Sequence, residues 1–197
     1  MKEYYDVRAP EYDEWYLGVG LFAQRDRPGW EAELEQLFAT IAALPPGRTL
    51  DVACGTGFLT RHIRGDVIGL DQSSRMLDVA QRQVPGATFV NGDAFALPFP
   101  NDCFSRVFTG HFYGHLEAPD RERFLAEARR VASELVVVDA SREHSGIDEH
   151  MSPRVLNDGS TWEVYKRYFT GAALAEELGG GEVLHEGRWF VVVRAAL

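Results

Sequence analysis

The stretch that decides the fold is residues 50–60, which read LDVACGTGFLT. Its apolar start predicts a strand, Gly55 and Gly57 predict a tight turn, and the residues that follow predict a helix. Glycine turns that open helices usually bind phosphate groups, because free backbone N–H groups and the helix dipole attract anions. Asp51 works against that use, since its carboxylate repels a pyrophosphate. The turn therefore suits a ligand that has no phosphate and that carries positive charge.

Around this turn the chain alternates between strand patterns and helix patterns. Predicted strands cover residues 48–53, 67–71, 87–91, 103–109 and 135–140. Predicted helices between them cover residues 58–64, 73–84 and 120–131. Ser73 is the expected N-cap of the second of these helices. Strands and helices that alternate at this spacing predict a doubly wound, Rossmann-like α/β fold with a mostly parallel sheet.

The N-terminal part of the chain precedes this alternation. Residues 3–17 and 30–44 have apolar and aromatic residues at helical spacing. We therefore expect residues 1–45 to form N-terminal lid helices over a core of residues 46–197, within one domain.

The C-terminal part departs from the alternation after residue 140. Residues 141–160 are polar and without periodicity, which predicts a long loop. An extended segment and a helix, 161–169 and 170–178, are expected next. Residues 182–186 and 188–195 then predict an antiparallel hairpin, which completes a seven-stranded sheet.

Composition and charge exclude several classes of protein. With 197 residues, 45% of them hydrophobic and 25% charged, the chain has the make-up of one globular domain, which excludes a disordered or collagen-like chain. A net charge of −10 argues against binding to nucleic acid. The first residues lack the apolar core of a signal peptide, and no apolar run reaches membrane-spanning length. We therefore expect a cytoplasmic protein, a monomer or homodimer, that binds neither nucleic acid nor membrane.

Three acidic residues, Asp51, Asp71 and Asp93, lie at the ends of three predicted strands. The carboxyl ends of parallel strands share one edge of the sheet, and open α/β sheets bind ligands there. Asp71 can accept both hydroxyls of a ribose, or it can cap the following helix, a role that Ser73 already fills. Asp93 can accept from the amino group of an adenine, or it can belong to an ordinary Gly-Asp turn. The spacing of all three favours a nucleoside ligand.

A dinucleotide-binding fold is an alternative explanation of the glycine turn. Its fingerprint is G-x-G-x-x-G, and the third position here is Thr60. The third glycine allows close packing of helix on strand. Its absence, together with Asp51, disfavours a nicotinamide-dependent oxidoreductase.

Four motifs resemble one protein family. They are LDVACGTG at 50–57, GLDQSSRML at 69–77, GDAFALPF at 92–99 and YGHL at 113–116. On these motifs the chain resembles the class I S-adenosylmethionine (SAM)-dependent methyltransferases, in particular the small-molecule group related to the ubiquinone- and menaquinone-pathway enzymes. Two positions depart from the family pattern: Ala53 stands where many relatives have glycine, and Ser105 where many have aspartate.

The resemblance implies SAM as the cofactor, S-adenosylhomocysteine (SAH) as its product and a set of binding residues. Asp51 and Gly55 would contact the methionine part, Asp71 the ribose, and Gln72, Met76, Asp93 and Ala94 the adenine. Tyr12 resembles a lid tyrosine near the methionine carboxylate. The full implied set is Tyr12, Asp51, Ala53, Gly55, Thr56, Gly57, Asp71, Gln72, Met76, Asp93 and Ala94. Tyr12 and Met76 are also plausible core residues, because they recur at helical spacing.

His111 and His115 are the candidate catalytic residues, because histidine titrates near neutral pH and can act as a general base. A metal site would need the two rings on one helical face and a third ligand, and neither is indicated. Methyl transfer can also proceed without a base, because alignment and exclusion of water supply much of the acceleration.

The sequence says less about the binding site of the acceptor than about that of the cofactor. The aromatic candidates for its walls are Tyr113, Trp162, Tyr165, Tyr168 and Trp189, which can equally be core residues. Lys166 and Arg167 can meet an anionic acceptor or lie on a solvated strand. We expect transfer of a methyl group to a small-molecule acceptor by in-line displacement. The alternative is a SAM- or SAH-binding sensor or partner domain without catalysis.

Overall fold

Seven strands form the central sheet of the computed structural model, which describes residues 2–197. In spatial order they are β3 (Thr88–Asn91), β2 (Gly65–Asp71), β1 (Gly47–Val52), β4 (Arg106–Gly110), β5 (Glu134–Ala140), β9 (Phe190–Ala196) and β8 (Glu182–Glu186). The first five are parallel, and β9 is antiparallel to both of its neighbours. The predicted doubly wound fold and its C-terminal hairpin are confirmed, with β9 lying between β5 and β8.

The apolar run at the centre of β5 is explained by helices on both faces of the sheet. Leu135 and Val137 pack into a core with α5 (Ala118–Val131) and α7 (Gly171–Glu177). Val136 and Val138 point the other way and share a second core with α3 (Trp30–Ala43). A strand buried on both faces carries apolar residues without alternation.

The prediction of a helix after the glycine turn, at residues 58–64, is wrong. This segment contains only a 3₁₀ turn, Thr60–His62. The chain must return past β1, whose six residues span about 20 Å, to begin β2 beside Gly47. The twelve residues between β1 and β2 make this return with the 3₁₀ turn as their one helical segment.

The prediction of a long loop at residues 141–160 is also wrong, because this segment has regular structure. It contains a short helix, α6 (Arg142–Ser145), and a strand, β6 (Glu149–Val155), which pairs antiparallel with β7 (Thr161–Arg167). Ser152 is the one buried residue of β6, so no apolar alternation marks the strand in the sequence. The ribbon of β6 and β7 is separate from the main sheet.

The N-terminal segment lies over the carboxyl edge of the sheet. Its predicted helix at 3–17 is broken into α1 (Lys2–Arg8), a 3₁₀ turn (Ala9–Glu11) and α2 (Glu14–Leu17). Three side-chain hydrogen bonds hold it to the core: Ser73 to Asp6 at 2.6 Å, Thr56 to Asp13 at 2.5 Å and Gln83 to Asp13 at 2.7 Å. Ser73 is also the N-cap of α4 (Ser74–Gln83), as predicted.

Across residues 2–197, none of the helices combines the length and the apolar character that crossing a membrane requires.

Candidate functional site

A cavity of about 200 Å³ lies at the carboxyl ends of β1, β2 and β4, beneath the N-terminal segment. Nine of the residues singled out from the sequence line it: Tyr12, Ala53, Gly55, Asp71, Gln72, Asp93, Ala94, His111 and His115. We call it the nucleoside cavity. Asp51, Thr56, Gly57 and Met76 are not among its lining residues.

Asp71 connects the end of β2 to the glycine turn. One carboxylate oxygen accepts the Gly55 N–H at 2.9 Å, and the other accepts the Ser73 N–H at 2.9 Å. Burial raises the pKa of Asp71, and the two backbone N–H groups oppose that rise. Each carboxylate oxygen can accept a second hydrogen bond. Asp71 can therefore support the turn and still accept from a ligand in the cavity.

Asp51 lies one layer behind this cavity. It is 2% exposed and accepts from the Thr60 hydroxyl at 2.6 Å. Burial raises its pKa to about 7, and the nearby charge of Asp71 adds to the rise. Asp51 lines a small adjoining cavity that shares Tyr12, Ala53 and Gly110 with the larger one. Its carboxylate is thus close to the ligand space and titrates near neutral pH.

The glycine turn has three residues in the left-handed region. Gly55 has φ +55°, Gly57 +77° and Ala53 +58°. Glycine adopts this conformation freely, whereas Ala53, the departure from the family pattern, adopts it under strain. A Cβ on Gly57 would approach Val84 to 3.0 Å, so Gly57 lets the turn pack against the end of α4. Gly57 therefore shapes the turn without facing the nucleoside cavity.

Tyr12 covers the turn from above. Its ring lies close enough to Gly55 that a Cβ there would be 3.7 Å from the ring edge. The Arg8 guanidinium is 4.8 Å from the ring centre. The ring packs on the turn and also lines the cavity, so its position is compatible with both interpretations, lid residue and packed aromatic. The lid role stays a prediction.

Thr56 and Met76 lie outside the nucleoside cavity for different reasons. The Thr56 hydroxyl binds Asp13, which secures the N-terminal segment. Met76 is fully buried in α4, which agrees with the core alternative. The sequence motifs alone could not show that Thr56 and Met76 lie outside the cavity wall.

His111 lies at the end of β4 with φ +55°. Burial lowers its pKa to about 4. Its Nδ1 is 4.0 Å from Asp139, and its buried Nε2 has no hydrogen-bond partner within residues 2–197. The ring is neutral at pH 7, so it keeps one free polar atom for a ligand.

His115 is held by the ribbon of β6 and β7. Its Nδ1 donates to the Tyr165 carbonyl at 2.7 Å, and burial lowers its pKa to about 3. A general base works best when its pKa is near the working pH. Both histidines are therefore weak bases in this structure and are better suited to positioning a ligand.

Asp139 is a buried residue at the end of β5 that our sequence analysis missed. It accepts from the Gly114 N–H at 2.7 Å and from the Lys166 ammonium at 2.5 Å. Burial alone raises its pKa, but Lys166 and His111 hold the pKa below its usual range. The available signal was an acid that follows a buried apolar strand, the same signal that identified Asp71.

A second cavity, of about 370 Å³, meets the nucleoside cavity at Tyr12, His111 and His115. We call it the cationic cavity, because Arg8, Arg25, Arg27, Arg154 and Lys166 line it. Its aromatic lining residues include Tyr168 and Trp189 from the predicted acceptor set, but not Tyr113, Trp162 or Tyr165. Residues 2–197 contain no group of three His, Cys, Asp or Glu side chains placed to hold a metal ion.

Comparison with known proteins agrees with this geometry. Residues 49–134 match the family model described as a methyltransferase domain. A demethylmenaquinone methyltransferase of Thermotoga maritima is 34% identical over 107 residues, 52% of this chain and 44% of the relative. A 2-phytyl-1,4-naphtoquinone methyltransferase of Synechococcus elongatus is 36% identical over 119 residues, 53% of this chain and 50% of the relative. The chain thus spans about half the length of the curated relatives it matches.

A solved structure described as a DhpI-SAM-HEP complex superposes with a TM-score of 0.73 at 26% identity, covering 98% of this chain and 94% of that one. The mostly parallel sheet, its C-terminal hairpin and the cavity at its carboxyl edge together define a class I α/β methyltransferase fold. Residues 49–134 thus match a methyltransferase domain, and the whole chain has the fold of a protein solved with SAM.

Proposed function

We propose that this protein transfers a methyl group from SAM to a small-molecule acceptor. The observation that supports this best is the junction of two cavities at His111 and His115. One cavity has the glycine turn and Asp71 in its wall, and the other leads away from the sheet edge. This arrangement provides adjoining sites for a methyl donor and an acceptor.

The residues of the nucleoside cavity fit SAM. Asp71 would accept from the ribose hydroxyls, and Asp93, Ala94 and Gln72 would surround the adenine. Gly55, Ala53 and Tyr12 would contact the methionine part, with Asp51 providing negative charge behind them. Thr56, Gly57 and Met76 would act indirectly by supporting the turn and α4.

SAM, when bound, supplies a methyl group on a positively charged sulfur that leaves as the neutral thioether of SAH. Tyr12 and the N-terminal segment cover the cavity and exclude water from the donor. His111 and His115 are uncharged and flank the junction, where they can orient the acceptor through their free ring nitrogens. Their low pKa values favour a reaction that depends on alignment more than on a general base.

The relatives named above are quinone methyltransferases, which supports a small organic molecule as the acceptor. The net charge of −10 supports the same conclusion, because it disfavours a nucleic-acid substrate.

Calorimetry with SAM and SAH, followed by a turnover assay for SAH over a panel of acceptors, tests the proposal. We expect binding of both compounds and production of SAH with at least one acceptor. Tight SAM binding without turnover on any acceptor would favour a non-catalytic sensor. NADH binding without SAM binding would contradict the assignment of the cofactor.

A further inference from the structure

The cationic cavity concentrates positive charge in a chain whose net charge is −10. Four arginines and one lysine line it: Arg8, Arg25, Arg27, Arg154 and Lys166. Asp26 is the one carboxylate among its lining residues. The cavity is therefore a local exception to the acidic character of the molecule.

The four arginines of this cavity have no carboxylate partner within 4.0 Å in the described part of the chain. Arg8 donates to the Tyr4 hydroxyl at 2.5 Å, and Arg27 donates to the Trp15 carbonyl at 2.6 Å. Eight arginines elsewhere do pair with a carboxylate: Arg48, Arg106, Arg121, Arg123, Arg130, Arg142, Arg167 and Arg194. Of the ten arginines without a carboxylate partner in the described residues, four thus line this one cavity.

The clustered charges repel one another. Burial, then the neighbouring guanidiniums of Arg154 and Arg8, lower the pKa of Arg25. Burial and Arg25 together lower the pKa of Arg27. A bound anion would relieve this repulsion, and guanidinium groups match the oxygen geometry of phosphoryl and carboxylate groups.

We propose that the methyl acceptor is a small oxyanion, with a phosphoryl or carboxylate group held by the arginines of the cationic cavity. This inference rests on the proposed function and names its substrate class. The cavity meets the nucleoside cavity at His111, so an anion bound among the arginines reaches the donor site. A neutral quinone would leave the same arginines without a counter-charge.

The test begins with calorimetry of SAH binding and continues on the SAH-saturated protein. The probes are phenyl phosphate, benzoate, inorganic phosphate, phenol and 1,4-naphthoquinone. We expect at least one of the three anions to bind, phenol and the quinone to bind much more weakly, and anion affinity to fall as salt is raised from 50 to 500 mM. The anion that binds best distinguishes a phosphoryl group from a carboxylate.

Matched variants locate the binding site. Arg25→Gln and Arg154→Gln should each weaken binding of the anion by about tenfold, because each removes one charge-assisted contact. Arg48→Gln is the control, since Arg48 pairs with Asp66 at the opposite edge of the sheet. Its anion affinity should equal that of the wild type.

Two results would overturn the inference while leaving the proposed function intact: SAH binding with no anion bound, or anion binding that Arg48→Gln weakens as much as Arg25→Gln and Arg154→Gln. Failure of SAH to bind would instead count against the proposed function. A turnover assay with the anion that binds provides the second readout, and SAH production from it should exceed production from phenol.

Discussion

Asp51 is a carboxylate that folding places almost entirely out of water. Its one hydrogen bond from a side chain, from Thr60, only partly compensates for burial, and its pKa is about 7. A carboxyl group with a raised pKa destabilises the folded state when it ionises. Because its pKa is about 7, Asp51 can ionise near neutral pH when a positively charged ligand binds beside it.

This pKa predicts how Asp51→Asn changes stability with pH. The folded protein holds a proton on Asp51 that the unfolded chain has lost, from about pH 4 to about pH 7. Over that range the wild-type free energy of unfolding should fall relative to that of Asp51→Asn, and above it the difference should stay constant. Urea denaturation of both proteins from pH 4.5 to pH 8.5 measures this, and a difference that does not vary with pH would contradict the buried position of Asp51.

Asp71→Asn tests the residue at the end of β2. The substitution replaces an acceptor oxygen with an NH₂ group, so either the Gly55 or the Ser73 N–H loses its partner. Loss of a charged acceptor should weaken SAM binding by about 1.5–3 kcal/mol, which is tenfold or more. Calorimetry measures the affinity, and thermal denaturation should show that the protein still folds with reduced stability.

The control is Asp66→Asn, at the opposite end of the same strand, where the side chain is 70% exposed. SAM affinity should not change in this variant. Equal affinity of the Asp71→Asn protein and the wild type would show that the ribose does not bind at Asp71.

At the scale of elements, the ribbon of β6 and β7 is fixed to the sheet by buried polar contacts. Lys166 of β7 is paired with Asp139 of β5, and Tyr165 of β7 accepts from His115. The side chains of Lys166 and Asp139 are 5% and 0% exposed. Such a pair holds two elements in one relative position, because neither charge tolerates burial alone.

Lys166→Met should therefore lower the free energy of unfolding by about 3 kcal/mol or more at pH 7, since it leaves Asp139 buried without its cation. The loss should shrink at acidic pH, because the unpaired carboxyl group becomes protonated more easily. Arg167→Met on the same strand is the control: its partially exposed pair with Glu177 should be worth about 1 kcal/mol or less. Equal losses in the two variants, measured by urea denaturation, would contradict the role given to Lys166.

Elements were predictable from the sequence where their packing leaves a periodic pattern. β5 and α3 are buried along whole faces, and their apolar residues mark them. β6 has one buried residue, so it has no pattern to find. The segment at 58–64 has helical spacing, yet it forms only a 3₁₀ turn at Thr60–His62.

For the whole molecule, ligand binding should raise thermal stability with the logarithm of the ligand concentration once it exceeds Kd. SAM at 100 times its Kd adds about 2.7 kcal/mol, which corresponds to a rise in Tm of about 5–10 °C for a chain of this size. NADH at the same concentration should leave Tm unchanged, because Asp51 and Thr60 disfavour a pyrophosphate. Scanning calorimetry measures both, and a shift with NADH alone would contradict the cofactor assignment.

The sequence by itself determined the strands of the parallel sheet in their chain order, the glycine turn and the acids at the strand ends, since each depends on neighbouring residues and on a regular period. Only the tertiary structure decided which of those residues face the cavity. It placed Asp51 behind the wall, Met76 in the core, and Asp139 beneath His111. It also brought Arg8, Arg25 and Arg154, more than a hundred residues apart at the extremes, around one space. Burial and charge clustering depend on segments distant in the chain, so no local pattern encodes them.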